Sequence, residues 1–204
     1  MKLLPLSLAL FFSLFIFSPT HAHTVAGVEL RETVPATAER PELKLNGAAL
    51  RELYLLIKSY VGALYVEQPS NDAKALLASE THKRMVFHVM MKRVSARRIA
   101  NALQEAMVLN LNEEEHKALS KDLDKMVSLF EGKMHKGEQA FFDYLPGKGT
   151  RITINGEVKG FIAGKDYFNA MLSMWVGENP VGRTFKEEIL GSNLPNHKSQ
   201  LADN

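Results

Sequence analysis

The sequence predicts an α+β fold, in which a long antiparallel sheet is covered on one face by a layer of helices. Three observations support this prediction. Residues 57–66 are rich in β-branched and aromatic side chains, two amphipathic segments lie between residues 95 and 132, and the last third alternates strand-forming residues with Pro-Gly and Asn-Gly turns. Groups of strands separated by consecutive helices are typical of α+β domains.

The first 22 residues are predicted to be a cleavable signal peptide. Lys2 precedes an apolar run from Leu3 to Phe17, and Thr20-His21-Ala22 provides the small residues of a cleavage site. The apolar run is too short for a comfortable membrane span, and we find no other candidate span in the sequence. We therefore expect a periplasmic or secreted protein that begins at His23 and has no stable membrane span.

The remaining chain is long enough for one domain. We assign this domain to residues 23–191 and predict a flexible polar tail at residues 192–204. The chain has no cysteine, which excludes disulfides and thiolate metal sites. Its formal charge of +2 includes Lys2, so no basic face for nucleic acid is predicted. The basic run from Lys92 to Arg98 is interpreted as a solvated helix end.

Two histidines are the candidates for a metal site, and they do not support one. His82 and His88 have no carboxylate neighbours at ligand spacing. We therefore predict no metal and no other cofactor.

The first third of the domain is predicted to be strands. Two brief edge strands are expected between Val25 and Leu45, because Pro35 and Pro41 bracket their connection. A turn is expected at Leu45-Asn46-Gly47. The apolar run that follows fits either a helix or one face of a strand, and the β-branched and aromatic residues from Ile57 to Val66 favour a strand.

The middle of the chain is predicted to be mainly helical. Residues 72–79 are expected to form a short helix and residues 82–94 a strand, after which Ser95 caps a helix over residues 96–111. Asn112 and Glu115 have the spacing of a capping box for a second helix that ends at Gly132. The inward face of this helix is predicted to consist of Leu119, Leu123, Met126, Val127 and Phe130.

The last third is predicted to contain hairpins and two final helices. Asn155-Gly156 is a strong hairpin signal between two strand-like segments. The segment from Pro146 to Thr150 lacks the spacing of a phosphate-binding loop and is interpreted as a hairpin turn. Helices are expected over residues 165–176 and 184–190.

Arg51 is an unusual residue at the beginning of an apolar run, because burying its charge without a partner is costly. Two interpretations are open. The guanidinium can pair with an internal acid such as Glu52 or Glu105, or the aliphatic part of the side chain can extend so that the guanidinium is solvated. Alternatively, it can receive an acidic ligand.

The chain resembles the bacterial, exported branch of the chalcone isomerase-like family in four segments, LNGAALRELYLLIKSYVGALYV, VSARRIANALQEAM, DYLPGKGTRITINGEVKGFIAGKDYFNAML and MWVGENPV. The resemblance extends from about Val25 to Gly191. It implies an open-faced β-sandwich of chalcone isomerase type, with a ligand cleft between a long antiparallel sheet and its helices. The family includes plant enzymes that cyclise chalcones to flavanones, and also proteins that bind fatty acids without known catalysis.

The resemblance implies that Arg51 points into this cleft and that Tyr60 takes the place of an enzyme threonine. An arginine and a tyrosine hold the carboxylate in the fatty-acid-binding members. Nine residues separate the two, so a single regular strand would point them in opposite directions, and a bulge or a late strand start is required to bring them together.

The resemblance also places Arg98 and Glu105 where the enzymes have a tyrosine and an asparagine. Neither substitution keeps the phenol or the amide that orders water and ketone during cyclisation. The expected ligand-binding residues are therefore Arg51, Tyr60, Arg98 and Glu105, while the pattern of catalytic residues is mostly missing.

Three functions follow, of which binding of a fatty acid or a similar apolar carboxylate is favoured. The second is an intramolecular lyase or isomerase of chalcone isomerase type, with Arg51 as an electrophilic clamp and Tyr60 as a donor to the oxyanion. The third is a structural protein that binds a partner and whose own side chains fill the cleft.

Overall fold

The computed structural model of the chain describes residues 22–54 and 56–191. The predicted signal peptide, apart from Ala22, and the predicted tail from Ser192 to Asn204 lie outside the described residues. In chain order, the elements are β1 Ala22–Val25, β2 Val28–Arg31, β3 Thr33–Val34, β4 Leu43–Leu53, β5 Ile57–Val66, α1 Ala73–Ala78, β6 Lys83–Val89, β7 Arg93–Ser95, α2 Ala96–Val108, α3 Glu113–Leu129, β8 Lys133–His135, β9 Gln139–Leu145, β10 Gly149–Ile154, β11 Glu157–Ala163, α4 Asp166–Val176 and α5 Arg183–Ile189.

Within the described residues, seven strands form one antiparallel sheet in the order β11-β10-β9-β6-β5-β4-β3. The helices pack on one face of this sheet around a large apolar core that includes Trp175, Phe142 and Met107. A smaller core on the other face contains Leu30 of the β1–β2 hairpin and Val61 of β5. This arrangement confirms the predicted α+β class with a helical layer.

Short-range signals in the sequence produce the predicted local structures. The Asn112 side chain accepts a hydrogen bond from the Glu115 amide, and the Glu115 carboxylate accepts one from the Asn112 amide, both at 2.9 Å, which completes the capping box of α3. Asn155 and Gly156 both have positive φ and connect β10 to β11, as a tight hairpin requires. In the part of the chain described, no helix combines the length and hydropathy needed to cross a membrane.

Three predicted boundaries are wrong. The expected turn at residues 45–47 lies inside β4, and the apolar run over residues 45–66 is a hairpin of two strands rather than one strand. The expected strand over residues 82–94 stops at Val89, because Arg93 to Ser95 pair with β8 instead of continuing along the main sheet.

Asn46 explains the first of these errors. The register of β4 against β5 shifts between Leu45 and Gly47, so Asn46 is a bulged residue in a continuous strand. Its fully buried side chain donates a hydrogen bond to the Ile189 carbonyl at 2.9 Å and accepts one from the Ser70 amide at 2.7 Å. The residue pair that resembles a turn therefore anchors the end of α5 to the sheet.

Gly47 allows this contact, and replacing it should destabilise the protein. A Cβ at this position would lie 2.2 Å from the Glu188 carbonyl oxygen and 2.4 Å from that of Ile189, both of which are backbone atoms. We expect Gly47→Ala to lower the free energy of unfolding by about 1 to 3 kcal/mol, as other forms of overpacking do. Urea denaturation followed by circular dichroism measures this change.

Gly182→Ala is the matched control, because a Cβ at Gly182 meets no atom closer than 3.7 Å and the backbone there is extended. We expect a smaller loss of about 1 kcal/mol or less for this variant, because Ala is a poorer N-cap than Gly but its methyl group displaces no atom. Equal losses in the two variants would contradict the assigned role of Gly47.

Candidate functional site

A cleft of about 940 Å³ lies between the helical layer and one end of the sheet. Leu53, Ile57 and Phe87 contribute its sheet side, Ile99 and Leu103 its α2 side, and Met174 of α4 also lines it. The volume is within the range of small-molecule sites, and such sites are usually lined by apolar groups with a few polar ones.

Arg51 and Tyr60 lie at this cleft on neighbouring strands. They are directly opposite each other in the antiparallel pairing of β4 with β5, so their side chains project from the same face of the sheet. The hairpin resolves the problem of their spacing, because the two residues do not share one strand. A register shift follows immediately, between Arg51 and Glu52.

The guanidinium of Arg51 has no carboxylate partner among the described residues. It is half-buried, and its Nη1 donates a hydrogen bond to the Glu52 backbone carbonyl at 3.1 Å. The alternative in which the carboxylate of Glu52 or Glu105 neutralises Arg51 is therefore not observed. An uncompensated cation beside an apolar cleft is suited to bind an anionic group.

The Tyr60 side chain is buried and fixed by three aromatic neighbours. Its ring stacks on Phe87 with centroids 4.1 Å apart and meets the edge of Phe185 at 5.7 Å. Trp175 Nε1 donates a hydrogen bond of 2.9 Å to the Tyr60 hydroxyl oxygen. Since the indole is only a donor, this bond leaves the Tyr60 hydroxyl hydrogen free to be donated elsewhere.

Burial raises the pKa of Tyr60 to about 12, although the Trp175 hydrogen bond and the charge of Arg51 both act to lower it. The phenol is therefore protonated at neutral pH. A neutral hydroxyl on the residue paired with Arg51 provides a hydrogen-bond donor in the same cleft as a positive charge, which matches the two needs of a bound carboxylate.

Arg98 and Glu105 line the same cleft from α2, and both are exposed. They lie seven residues apart on one face of the helix, which separates them by about 10 Å along its axis. Neither forms an ion pair with another described residue. The structure thus brings all four predicted residues to one cleft, with Arg51 and Tyr60 adjacent and the other two on the opposite wall.

Two cations and one hydrogen-bond donor of the site are not among the residues predicted from the sequence. Arg93 in β7 and Lys133 in β8 line the cleft, and the antiparallel pairing of β7 with β8 brings them together across the two helices that separate them in the chain. Arg93 belongs to the run that was interpreted as a solvated helix end. Trp175 lies in the helix predicted over residues 165–176, and only the fold reveals its contact with Tyr60.

Two asparagines connect the outer walls of the cleft. The Asn110 side chain donates a hydrogen bond to the Asn179 carbonyl and accepts one from the Asn179 amide, both at 2.9 Å. The Asn179 side chain donates to the Leu109 carbonyl at 2.9 Å. These bonds hold the loop that carries Pro180 and Val181 against the end of α2, so the two walls are positioned together.

No group of three or more His, Asp or Glu side chains within the described ranges is arranged to hold a metal ion.

Comparison with known proteins gives one family and one fold. The family model described as chalcone isomerase-like matches residues 22–191. The crystal structure of a fatty-acid binding protein from Arabidopsis thaliana is similar to this chain with a TM-score of 0.70 at 16% identity, over 90% of this chain and 100% of that one. Among curated proteins, no sequence matches this chain significantly. The likeness to the plant protein establishes the shared fold.

The raised pKa of Tyr60 predicts a dependence of stability on alkaline pH. The phenol ionises near its ordinary value of 10 in the unfolded chain and at about 12 in the folded protein. The contribution of the buried neutral phenol to the free energy of unfolding is therefore complete below pH 10 and is lost as the pH rises from 10 to 12. Relative to Tyr60→Phe, the wild type should lose about 1.4 kcal/mol between about pH 8 and about pH 11.

Urea denaturation of both proteins across this pH range measures the difference. Because the other tyrosines are present in both proteins, their titration cancels in the comparison. A difference between the two that does not change with pH would contradict the buried, neutral state of Tyr60.

Proposed function

This chain belongs to the chalcone isomerase-like family, and we propose that it binds a fatty acid or a similar apolar carboxylate in the cleft between the sheet and α2. The observation that carries the proposal is the Arg51 guanidinium, which lies beside an apolar cleft, directly opposite Tyr60, with no carboxylate partner among the described residues. A ligand that combines one anionic group with a hydrocarbon tail satisfies both parts of this site.

The headgroup is held by Arg51 and Tyr60. A guanidinium offers a planar pair of N–H donors to a carboxylate, which a Lys ammonium does not match. The Tyr60 hydroxyl adds a third donor, because Trp175 already supplies the hydrogen bond that its oxygen accepts. The raised pKa of Tyr60 keeps this donor protonated while the ligand carboxylate is ionised.

The tail lies on the apolar side chains that form most of the cleft. Phe87 and Leu103 are buried residues of the sheet side and the α2 side, and Met174 of α4 adds a flexible thioether to the lining. Removing a hydrocarbon chain from water here supplies the main part of the binding free energy, in proportion to the apolar area that is buried.

Arg98 and Glu105 influence how the ligand is oriented. Arg98 adds a positive charge on the α2 wall, whereas Glu105, about two turns further along the helix, repels a carboxylate. The carboxylate is therefore favoured near Arg51 and Arg98 and disfavoured near Glu105.

We further propose that the protein acts after export, in the periplasm or outside the cell, as the leader over residues 1–22 predicts. If so, protein recovered from the periplasmic or extracellular fraction of a bacterial host should have the intact mass of a chain whose first residue is His23. Recovery from the cytoplasm with Met1 retained would contradict export without affecting the proposal on binding.

Arg51→Ala tests the role of the guanidinium. We expect fatty acids in organic extracts of the purified wild type, and their depletion in the variant, by mass spectrometry. Calorimetric titration with palmitate should show binding weaker by about 2 to 5 kcal/mol, since the carboxylate loses its charged partner. Arg51→Lys keeps the charge without the planar pair of donors and should lie between the two.

Arg97→Ala is the matched control, because Arg97 is an exposed arginine on α2 that does not line the cleft. It should bind palmitate like the wild type. Equal lipid content in the wild type and Arg51→Ala would overturn the proposal. Loss of chalcone absorbance on incubation with the wild type would replace it with an isomerase function.

A further inference from the structure

The turn between β4 and β5 exposes large apolar side chains. Tyr54 and Leu56 are each 88% exposed, and Ile57 is 48% exposed. Turns are usually polar, and single exposed apolar residues are common, but three of them within four positions of one turn are not explained by the core. Tyr54 also has positive φ, which is uncommon for a residue with a large side chain.

This exposed turn is continuous with the mouth of the cleft. Leu53 and Ile57, which flank the turn, both line the cleft, and so does Leu109, which is 69% exposed at the end of α2. An apolar surface therefore extends from the interior of the cleft to the outermost residues of the turn. We refer to Tyr54, Leu56, Ile57 and Leu109 as the apolar rim.

The charge around the apolar rim is mainly positive. Four cations line the cleft, namely Arg51, Arg93, Arg98 and Lys133, against one anion, Glu105. None of these five forms an ion pair with another described residue. Beside the turn, Lys58 lies opposite Glu52 in the β4–β5 pairing, so these two charges offset each other. The surplus of cations is complementary to an anionic surface.

We propose that the apolar rim docks on an anionic lipid bilayer, so that the mouth of the cleft faces the membrane. Tyr54 and Leu56 enter the boundary between headgroups and acyl chains, while Arg93, Arg98 and Lys133 contact anionic headgroups. Apolar insertion and cationic attraction together provide the two signals that peripheral attachment requires. This docking goes beyond the proposed function, because it needs no ligand in the cleft.

A variant of the turn tests the proposal. We combine Tyr54→Asn with Leu56→Asn, because asparagine tolerates the positive φ at position 54 and neither residue lines the cleft. Sedimentation with vesicles of phosphatidylcholine and phosphatidylglycerol should show partitioning of the double variant reduced by about tenfold or more. Wild-type binding should also fall on vesicles of phosphatidylcholine alone and at high salt.

Val158→Ser is the matched control, since Val158 is 59% exposed on the edge strand β11 and does not line the cleft. It should partition like the wild type. Intact mass must show that all compared proteins have the same N-terminus. A retained leader would then contribute equally to the vesicle binding of each. Urea denaturation should show equal stability for the wild type and the double variant, because both replaced side chains are exposed.

Equal vesicle binding by the wild type and the double variant would overturn the proposal. The proposal would also be overturned if the wild type did not bind vesicles but self-associated through the apolar rim. Sedimentation velocity would then show a dimer that the double variant does not form. Failure of docking is distinguishable from failure of the proposed function, because the double variant should still bind palmitate in solution, whereas Arg51→Ala should still partition onto vesicles.

Discussion

The pairing of β4 with β5 determines the position of the polar groups in the cleft. Its register places Arg51 opposite Tyr60, and a slip of one residue would turn either side chain to the other face of the sheet. Tyr60 transmits this constraint to the helical layer, because it accepts a hydrogen bond from Trp175 of α4 and contacts Phe185 of α5. The sheet register, the helix positions and the geometry of the site are therefore mutually dependent.

The features that could be predicted are those fixed by a few neighbouring residues. The capping box of Asn112 and Glu115 and the hairpin at Asn155-Gly156 form as expected, because their hydrogen bonds and backbone angles are local. Arg51 stands out by its charge at the start of an apolar run, whereas its pairing with Tyr60 follows from the family resemblance and not from spacing. Their spacing predicts opposite orientations on a single strand, but Arg51 lies on β4 and Tyr60 on β5.

The features that could not be predicted depend on contacts between distant segments. Asn46-Gly47 resembles a turn, but the Ile189 carbonyl and the Ser70 amide hold Asn46 as a bulge. The true turn was hidden because Tyr54 and Leu56 are apolar, and sequence patterns associate apolar residues with the interior. Arg93 and Lys133 meet at the cleft only through the β7–β8 pairing, which a single predicted strand over residues 82–94 excluded.

The Asn46 anchor lies on the same strand as Arg51, yet it serves a different purpose. Four residues separate Gly47 from Arg51, which corresponds to about 13 Å along an extended strand. The hydrogen bond from Asn46 to the end of α5 is thus outside the part of β4 that lines the cleft. Side chains near Arg51 can accordingly be exchanged without removing the two hydrogen bonds by which Asn46 ties the end of α5 and the Ser70 amide to β4.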